Sequence, residues 1–149
     1  MKVRILSGIV LLPLLAVLYF RGIALLIVCL LIAIIGVREF YKGFEAVGIK
    51  PCGSIGWLSA VGLYALILLK ADLNMYLLWF FAIITASMLY MFKIEERQLA
   101  DGMATVTGVI YIVFLSSHAV LIDKTGAGIL VWLVVFTAFG TDIFAYFSG

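Results

Sequence analysis

Residues 73–92 decide the fold, and they read LNMYLLWFFAIITASMLYMF. These twenty residues include no charged side chain. An α-helix rises about 1.5 Å per residue, so the stretch would span about 30 Å, which is the thickness of a bilayer's hydrocarbon core. Because hydrocarbon offers backbone groups no hydrogen-bond partner, an apolar run of this length predicts a transmembrane helix.

The rest of the chain has the same character. Hydrophobic residues make up 66% of its 149 residues and charged residues 12%, against roughly 45–50% and 25% in globular domains. A soluble domain of this size could not bury so much apolar surface. The net charge of +2 is too small to indicate a nucleic-acid partner. Cys29 and Cys52 form no metal-binding or disulfide pattern, so we expect two free thiols.

The apolar runs predict an all-α, polytopic transmembrane bundle of about six helices in one region over residues 1–149. Their predicted bounds are 5–20, 23–37, 55–69, 73–92, 103–122 and 127–147. No small-residue cleavage site followed by a soluble domain comes after the first run, so we expect a retained helix rather than a signal peptide. Small residues four apart, Gly56/Ala60 and Ala104/Gly108, would let helices approach closely.

Only Arg21-Gly22 separates the first two runs. Read as one helix, residues 5–37 would span about 50 Å, which is too long for a single crossing. We therefore expect a tight helical hairpin that turns at Arg21-Gly22, with Pro13 kinking its first arm. A re-entrant hairpin is the alternative.

Basic residues fall mostly in alternate joints between the predicted helices. Seven lie on one side, namely Lys2, Arg4, Arg38, Lys42, Lys50, Lys93 and Arg97. Three lie on the other side, namely Arg21, Lys70 and Lys124. By the positive-inside rule, the richer side faces the cytoplasm. This predicts a multi-pass protein with a cytoplasmic N-terminus, in which joints 38–53 and 93–102 and the end of the sixth helix are also cytoplasmic.

Asp142 is the strongest candidate for chemistry, because an ionisable side chain inside a membrane helix is costly. It lies in FGTDIFAYF, residues 139–147. An isolated carboxylate there would tend to neutralise, whereas a bound divalent cation such as Mg²⁺ would keep it charged. Tyr146 lies one turn further along the same helix face. The alternative is an Asp142 that lies in water at the membrane surface or pairs with a lysine of another helix.

Other polar residues carry weaker signals. His118 could relay protons, but we expect it to be hydrogen-bonded or to reach toward the membrane surface. Glu39 and Lys42 are expected to form weak, solvated pairs at the end of the second helix. The alternative is a basic and aromatic collar of Arg38, Tyr41 and Lys42 on anionic lipid headgroups.

No nucleotide-binding loop or nucleophile motif of the usual kinds occurs, but three stretches resemble a known family. They are KVRILSGIV at 2–10, EFY at 39–41 with GIKP at 48–51, and the stretch from Asp101 through GVIY at 108–111 to DIFAYFSG at 142–149. In these stretches the chain resembles, over nearly all its length, the N-terminal portion of phosphatidate cytidylyltransferase (CDP-diacylglycerol synthase). The last stretch is the most specific, since it matches the family pattern D-x-x-A-Y-F-x-G. Phe139 departs mildly, since many members have tryptophan there.

The resemblance implies transfer of CMP from CTP to phosphatidic acid, giving CDP-diacylglycerol and pyrophosphate in phospholipid biosynthesis. It implies Asp142 as a catalytic residue and Mg²⁺ ligand, with Tyr146 as its neighbour. The implied partners are CTP, phosphatidic acid and membrane lipids, and the implied location is the cell (inner) membrane. The family's Lys-, Asp- and His-rich C-terminal signature, which holds the expected CTP-binding residues, is not in this sequence. We therefore expect the 149-residue chain to be truncated and inactive by itself.

Two other kinds of function stay open at this point. A small non-enzymatic transporter or assembly subunit would use Asp142 and His118 to line a polar path. A related CTP-dependent polyprenol kinase is the second, although the motifs at the start of the chain favour the cytidylyltransferase. The sequence leaves the acyl-chain preference and the oligomeric state open, a homodimer included.

Overall fold

The computed structural model describes residues 16–92 and 97–148. The helices are α1 (Gly22–Glu45), α2 (Gly53–Leu68), α3 (Leu73–Met91), α4 (Leu99–Gly108), α5 (Leu115–Lys124) and α6 (Leu130–Ser148). A π-helical segment, Val109–Phe114, joins α4 to α5, and residues 16–20 are helical too. No strand occurs in these ranges, so the predicted all-α fold is confirmed.

Three helical stretches are long and apolar enough to cross a membrane: Gly22–Glu45, Leu73–Met91 and Leu99–Lys124. The apolar α2 is shorter, with 16 residues. Large hydrophobic side chains point outward along these helices, among them Leu78 and Phe81 of α3. Continuous apolar surface of this kind is stable against lipid and unfavourable in water. The chain is a membrane protein.

The break predicted at Arg21-Gly22 lies between helical residues 16–20 and α1. Both residues have positive φ angles, 54° and 59°, a conformation that glycine adopts freely and arginine only at a cost. Asp123 stabilises this turn from the end of α5. Its carboxylate accepts a hydrogen bond from the Gly22 N–H at 3.0 Å and lies 3.9 Å from Arg21 Nε. The predicted kink at Pro13, with Lys2 and Arg4, lies outside the described residues.

Two helices extend beyond the bounds that hydrophobicity predicts. α1 continues from the predicted end at residue 37 to Glu45, and α4 begins at Leu99 rather than at residue 103. The α1 extension includes four charged residues, Arg38, Glu39, Lys42 and Glu45, and the α4 extension begins at the cap formed by Gln98 and Asp101. Hydropathy marks where a helix leaves the apolar layer, and hydrogen bonding at the helix end decides where it stops.

The described residues form two compact units, one from 16–28 with 119–148 and one from 29–92 with 97–118. Tyr41 of α1 lies at the centre of the second unit, with 3% of its surface exposed. Its ring fills space beside Gly56 of α2 and Gly108 of α4, since a Cβ on Gly56 would lie 2.7 Å from the ring. Its hydroxyl donates a hydrogen bond to the Thr105 carbonyl at 2.8 Å.

This packing revises two readings of the sequence. The small residues Gly56 and Gly108 do permit close approach, but they admit a tyrosine ring rather than a neighbouring backbone. The alternative reading of Tyr41 as part of a headgroup collar is wrong, because the side chain is buried and its hydroxyl is already hydrogen-bonded.

The packing around Tyr41 predicts the effect of adding one methyl group. Gly108→Ala should lower the free energy of unfolding by about 1–2 kcal/mol, because overpacking costs about 1–3 kcal/mol and exceeds the gain in helix propensity of up to about 1 kcal/mol. The matched control is Gly43→Ala, at a helical glycine with open space around it. Unfolding in a detergent titration should show Gly108→Ala destabilised and Gly43→Ala unchanged or stabilised. Equal stability of the two variants would contradict this account of the core.

Candidate functional site

Two joints that the charge pattern assigns to the cytoplasmic side meet at one end of the unit formed by residues 29–118. The first joint connects α1 to α2 and includes Lys50, and the second precedes α4 and includes Arg97. The Arg97 Nη1 and the Tyr90 hydroxyl each donate to the Lys50 carbonyl oxygen at 3.4 Å. The Arg97 guanidinium carbon also lies 4.5 Å from the centre of the Tyr90 ring, which is within cation–π range.

Asp101 holds the two joints together from the first turn of α4. Only 3% of its surface is exposed. Its Oδ1 accepts the Lys50 N–H at 2.7 Å, and its Oδ2 accepts the Gln98 N–H at 2.9 Å. The Gln98 side chain in turn accepts from the Asp101 backbone N–H, which completes a reciprocal cap at the start of α4. Both carboxylate oxygens are therefore occupied by backbone donors.

Thr105 adds a second pair of hydrogen bonds one helical turn further along α4. We call the hydrogen bonds of Asp101 and Thr105 to residues 50–52 the clamp. Its hydroxyl accepts the Cys52 N–H at 2.8 Å and donates to the Asp101 carbonyl at 2.7 Å. Residues 50–52 are thus fixed to α4 through their backbone, while the Lys50 side chain remains exposed. We call Lys50 and Arg97 together the basic rim. Cations in this position attract phosphate groups, arginine through its planar set of N–H donors and lysine as a point charge.

Comparison with known proteins adds the chemistry of a family. A model described as the cytidylyltransferase family matches residues 2–149. The chain belongs to the cytidylyltransferase family. No curated protein and no solved structure matches it significantly. Membership confirms the family resemblance seen in the sequence, and it assigns CTP-dependent nucleotidyl transfer, with CTP as a substrate, as the chemistry of the family.

Asp142 and Tyr146 both lie in α6, one helical turn apart. α5 ends at Lys124, next to Asp123, which contacts Arg21. α6 starts shortly afterwards, at Leu130. Asp142 lies twelve residues later, about 18 Å along the helix axis, and so toward the far end of α6. The roles of Asp142 and Tyr146 in catalysis and metal binding stay predictions.

One face of α6 combines small and hydroxyl side chains with Phe136 and Phe144. Thr137, Gly140, Thr141 and Ser148 line a shallow depression there. The Thr137 hydroxyl donates to the Leu133 carbonyl at 2.9 Å, and the Thr141 hydroxyl donates to the Thr137 carbonyl at 2.6 Å. Because the Thr137 and Thr141 hydroxyls bond to their own helix, both can lie in an apolar environment without an unsatisfied donor.

Four other acids already have partners, which limits the carboxylates that could bind Mg²⁺. Asp101 has both oxygens occupied, Asp123 contacts Arg21 and Gly22, Asp72 caps α3, and Glu39 pairs with Lys42. Residues 16–92 and 97–148 hold no cluster of three or more histidine, cysteine or acidic residues. Mg²⁺ commonly takes one or two protein carboxylates together with substrate phosphates. A single carboxylate such as Asp142 fits that share of a site.

The remaining polar candidates have hydrogen-bond or ion-pair partners. His118 Nδ1 lies 2.9 Å from the Phe114 carbonyl oxygen, and the two rings meet edge to face. Lys42 and Glu39 form a 2.7 Å ion pair between exposed side chains, which contributes little to stability. Both cysteines are free thiols, as predicted, with Cys29 buried and Cys52 partly exposed.

Sequence reasoning missed the clamp of Asp101 and Thr105, because it assigned residues 93–102 to a cytoplasmic joint. One signal was present. Gln98 and Asp101 are three residues apart just before an apolar run, which is the spacing of a capping box at a helix start. The partner of that cap, the Lys50 N–H, is 51 residues away in sequence, and no local pattern could indicate it.

The clamp predicts how Cys52 will react. Asp101→Ala removes the acceptor for the Lys50 N–H, so the 50–52 segment should open more often and the Cys52 thiol should react with a maleimide about tenfold faster, equivalent to about 1.4 kcal/mol. Asp72→Ala is the control, because it removes a helix cap at the joint between α2 and α3. An unchanged Cys52 rate in Asp101→Ala, or the same increase in the control, would rule out the clamp.

Proposed function

We propose that this protein transfers CMP from CTP to phosphatidic acid, giving CDP-diacylglycerol and pyrophosphate in phospholipid biosynthesis. The family match together with the membrane-spanning helices carries the proposal. A nucleotidyltransferase with a soluble acceptor needs no bilayer. One built from apolar helices can reach an acceptor that cannot leave the membrane, and a lipid with a terminal phosphate is such an acceptor.

In the proposed reaction, an oxygen of the lipid phosphate attacks the α-phosphorus of CTP. A new P–O bond forms as the bond between the α-phosphorus and the bridging oxygen to the β-phosphate breaks, and pyrophosphate leaves with that electron pair. Both reactants are anions that repel each other. The protein therefore needs to align them and offset their charge rather than supply a covalent intermediate.

Two parts of the chain suit these tasks. The basic rim places Lys50 and Arg97 at one end of their unit, and Asp101 fixes the backbone that carries Lys50. Asp142 of α6 is proposed to contribute one carboxylate to Mg²⁺, with Tyr146 as its neighbour. The bound ion would offset the charge on the phosphate oxygens and orient them.

The proposed location is the cell (inner) membrane, with a cytoplasmic N-terminus and the basic rim at the cytoplasmic surface. CTP is available there, and the positive-inside rule favours the same orientation. The contacts between Lys50 and Arg97 support it, because two joints assigned to one side on charge alone do lie together.

Labelled CTP tests the reaction directly. Membranes from cells that express the gene for this protein are incubated with phosphatidic acid and CTP. The CTP is labelled at either the α- or the γ-phosphorus. We expect the α-label to enter the lipid fraction, because CMP is transferred, and the γ-label to leave as pyrophosphate. Transfer of the γ-label to polyprenol would instead identify a kinase, and no lipid labelling from either CTP would contradict the proposal.

Asp142→Asn tests the proposed ligand. Loss of the negative charge should reduce the rate at least about 100-fold at a fixed Mg²⁺ concentration, since metal-assisted charge stabilisation is worth several kcal/mol. Asp72→Asn is a matched control, because asparagine caps a helix as well as aspartate does. Normal activity of Asp142→Asn with an unchanged Mg²⁺ dependence would remove Asp142 from the site.

A further inference from the structure

A groove of about 240 Å³ runs between α3 and α4 on the outside of the unit formed by residues 29–118. Its walls are almost entirely apolar and include Ile84, Met88, Met91, Met103 and Val106. Methionine side chains are flexible and adapt to irregular apolar partners. Since α3 and the stretch Leu99–Lys124, which includes α4, are apolar enough to cross a membrane, the groove opens toward lipid hydrocarbon.

The groove begins where α3 ends and α4 starts. Met91 is the last residue of α3, and Gly102 is the fourth residue of α4. From Met91 down to Ile84 the groove follows about two turns of helix, roughly 10 Å. The end of the groove at Met91 and Gly102, its upper end, therefore lies at the joint that carries the basic rim. The opposite end, at Ile84, reaches into the hydrocarbon layer.

Two polar features lie at the upper part of this groove. Ser87 borders it, and the Ser87 hydroxyl is buried with no hydrogen-bond partner in residues 16–92 and 97–148. The Arg97 Nε, in the joint that precedes α4, is likewise buried and unpaired within those residues. Buried donors are normally hydrogen-bonded. An oxygen acceptor would give each of these donors a hydrogen bond. For the Ser87 hydroxyl this needs a small shift of the neighbouring methionines.

We propose that this groove binds one acyl chain of a phospholipid whose anionic headgroup contacts Lys50 and Arg97. The apolar walls match the acyl chain, and the cations at the upper end match the headgroup phosphate. An anionic phospholipid combines both features in one molecule. This inference does not depend on the proposed reaction, because a chain without transferase activity would bind the lipid equally well.

The groove is tested with adjacent residues of α3. Met88 lines it and Leu89 does not, although both side chains are more than half exposed. The protein in nanodiscs of nine parts phosphatidylcholine to one part phosphatidylglycerol is released into a native mass spectrometer, and retained lipids are counted. We expect Met88→Trp to retain at least about fivefold less phosphatidylglycerol than wild type and Leu89→Trp to retain the same amount. Phosphatidylglycerol is the probe because it is not the acceptor of the proposed reaction.

The headgroup contact is tested with a pair of lysines. Lys50→Gln should lower phosphatidylglycerol retention about fivefold, since one basic residue near the membrane surface contributes about 1 kcal/mol. Lys42→Gln makes the same charge change at a side chain already paired with Glu39, and it should have no effect. Neither the Lys50 backbone nor the Asp101 clamp is altered by this substitution.

Three outcomes would overturn the proposal. Equal retention of phosphatidylcholine would mean that the groove holds ordinary surrounding lipid. Equal loss in Met88→Trp and Leu89→Trp would place the lipid elsewhere. Dissociation of a dimer by Met88→Trp, with lipid retention unchanged, would make a second copy of the chain the occupant.

Discussion

Asp101 joins the two basic joints through its single carboxylate. One oxygen accepts the Lys50 N–H and the other the Gln98 N–H, so the residue both caps α4 and fixes the joint between α1 and α2. A carboxylate at a helix N-terminus is also stabilised by the helix dipole. Its position between two backbone donors explains how a buried acid is tolerated in so apolar a chain. The basic rim depends on this contact, since it sets where the backbone of Lys50 lies relative to α4.

The ring of Tyr41 supplies the apolar counterpart of that clamp. It lies beside Gly56 and Gly108 and donates to the Thr105 carbonyl, while the Thr105 hydroxyl accepts the Cys52 N–H. The two interactions therefore meet on one turn of α4. In a membrane, helices gain little from excluding lipid, so packing and hydrogen bonds between them determine their arrangement. This end of the unit has both.

The proposed function uses polar residues from each of the two units. Lys50 and Arg97 lie at the end of an apolar groove between α3 and α4, which suits a molecule with a charged head and a hydrocarbon tail. Asp142 lies in α6, where the Thr137 and Thr141 hydroxyls bond to carbonyls of their own helix. A cytidylyltransferase acting on a lipid phosphate needs such a division between lipid binding and charge compensation.

The sequence by itself determined the all-helical fold, the helix break at Arg21-Gly22, the location of the two basic joints on one side and the family. Each of these follows from local hydrophobicity, from charge counted along the chain or from short motifs. Only the tertiary structure decided that Tyr41 is buried, that Gly56 and Gly108 admit its ring, and that Asp101 clamps Lys50. These contacts join residues 15 to 67 positions apart, and hydropathy is nearly uniform along the chain. The pattern therefore shows which residues lie in the membrane, whereas shape and hydrogen bonding between helices decide which of them meet.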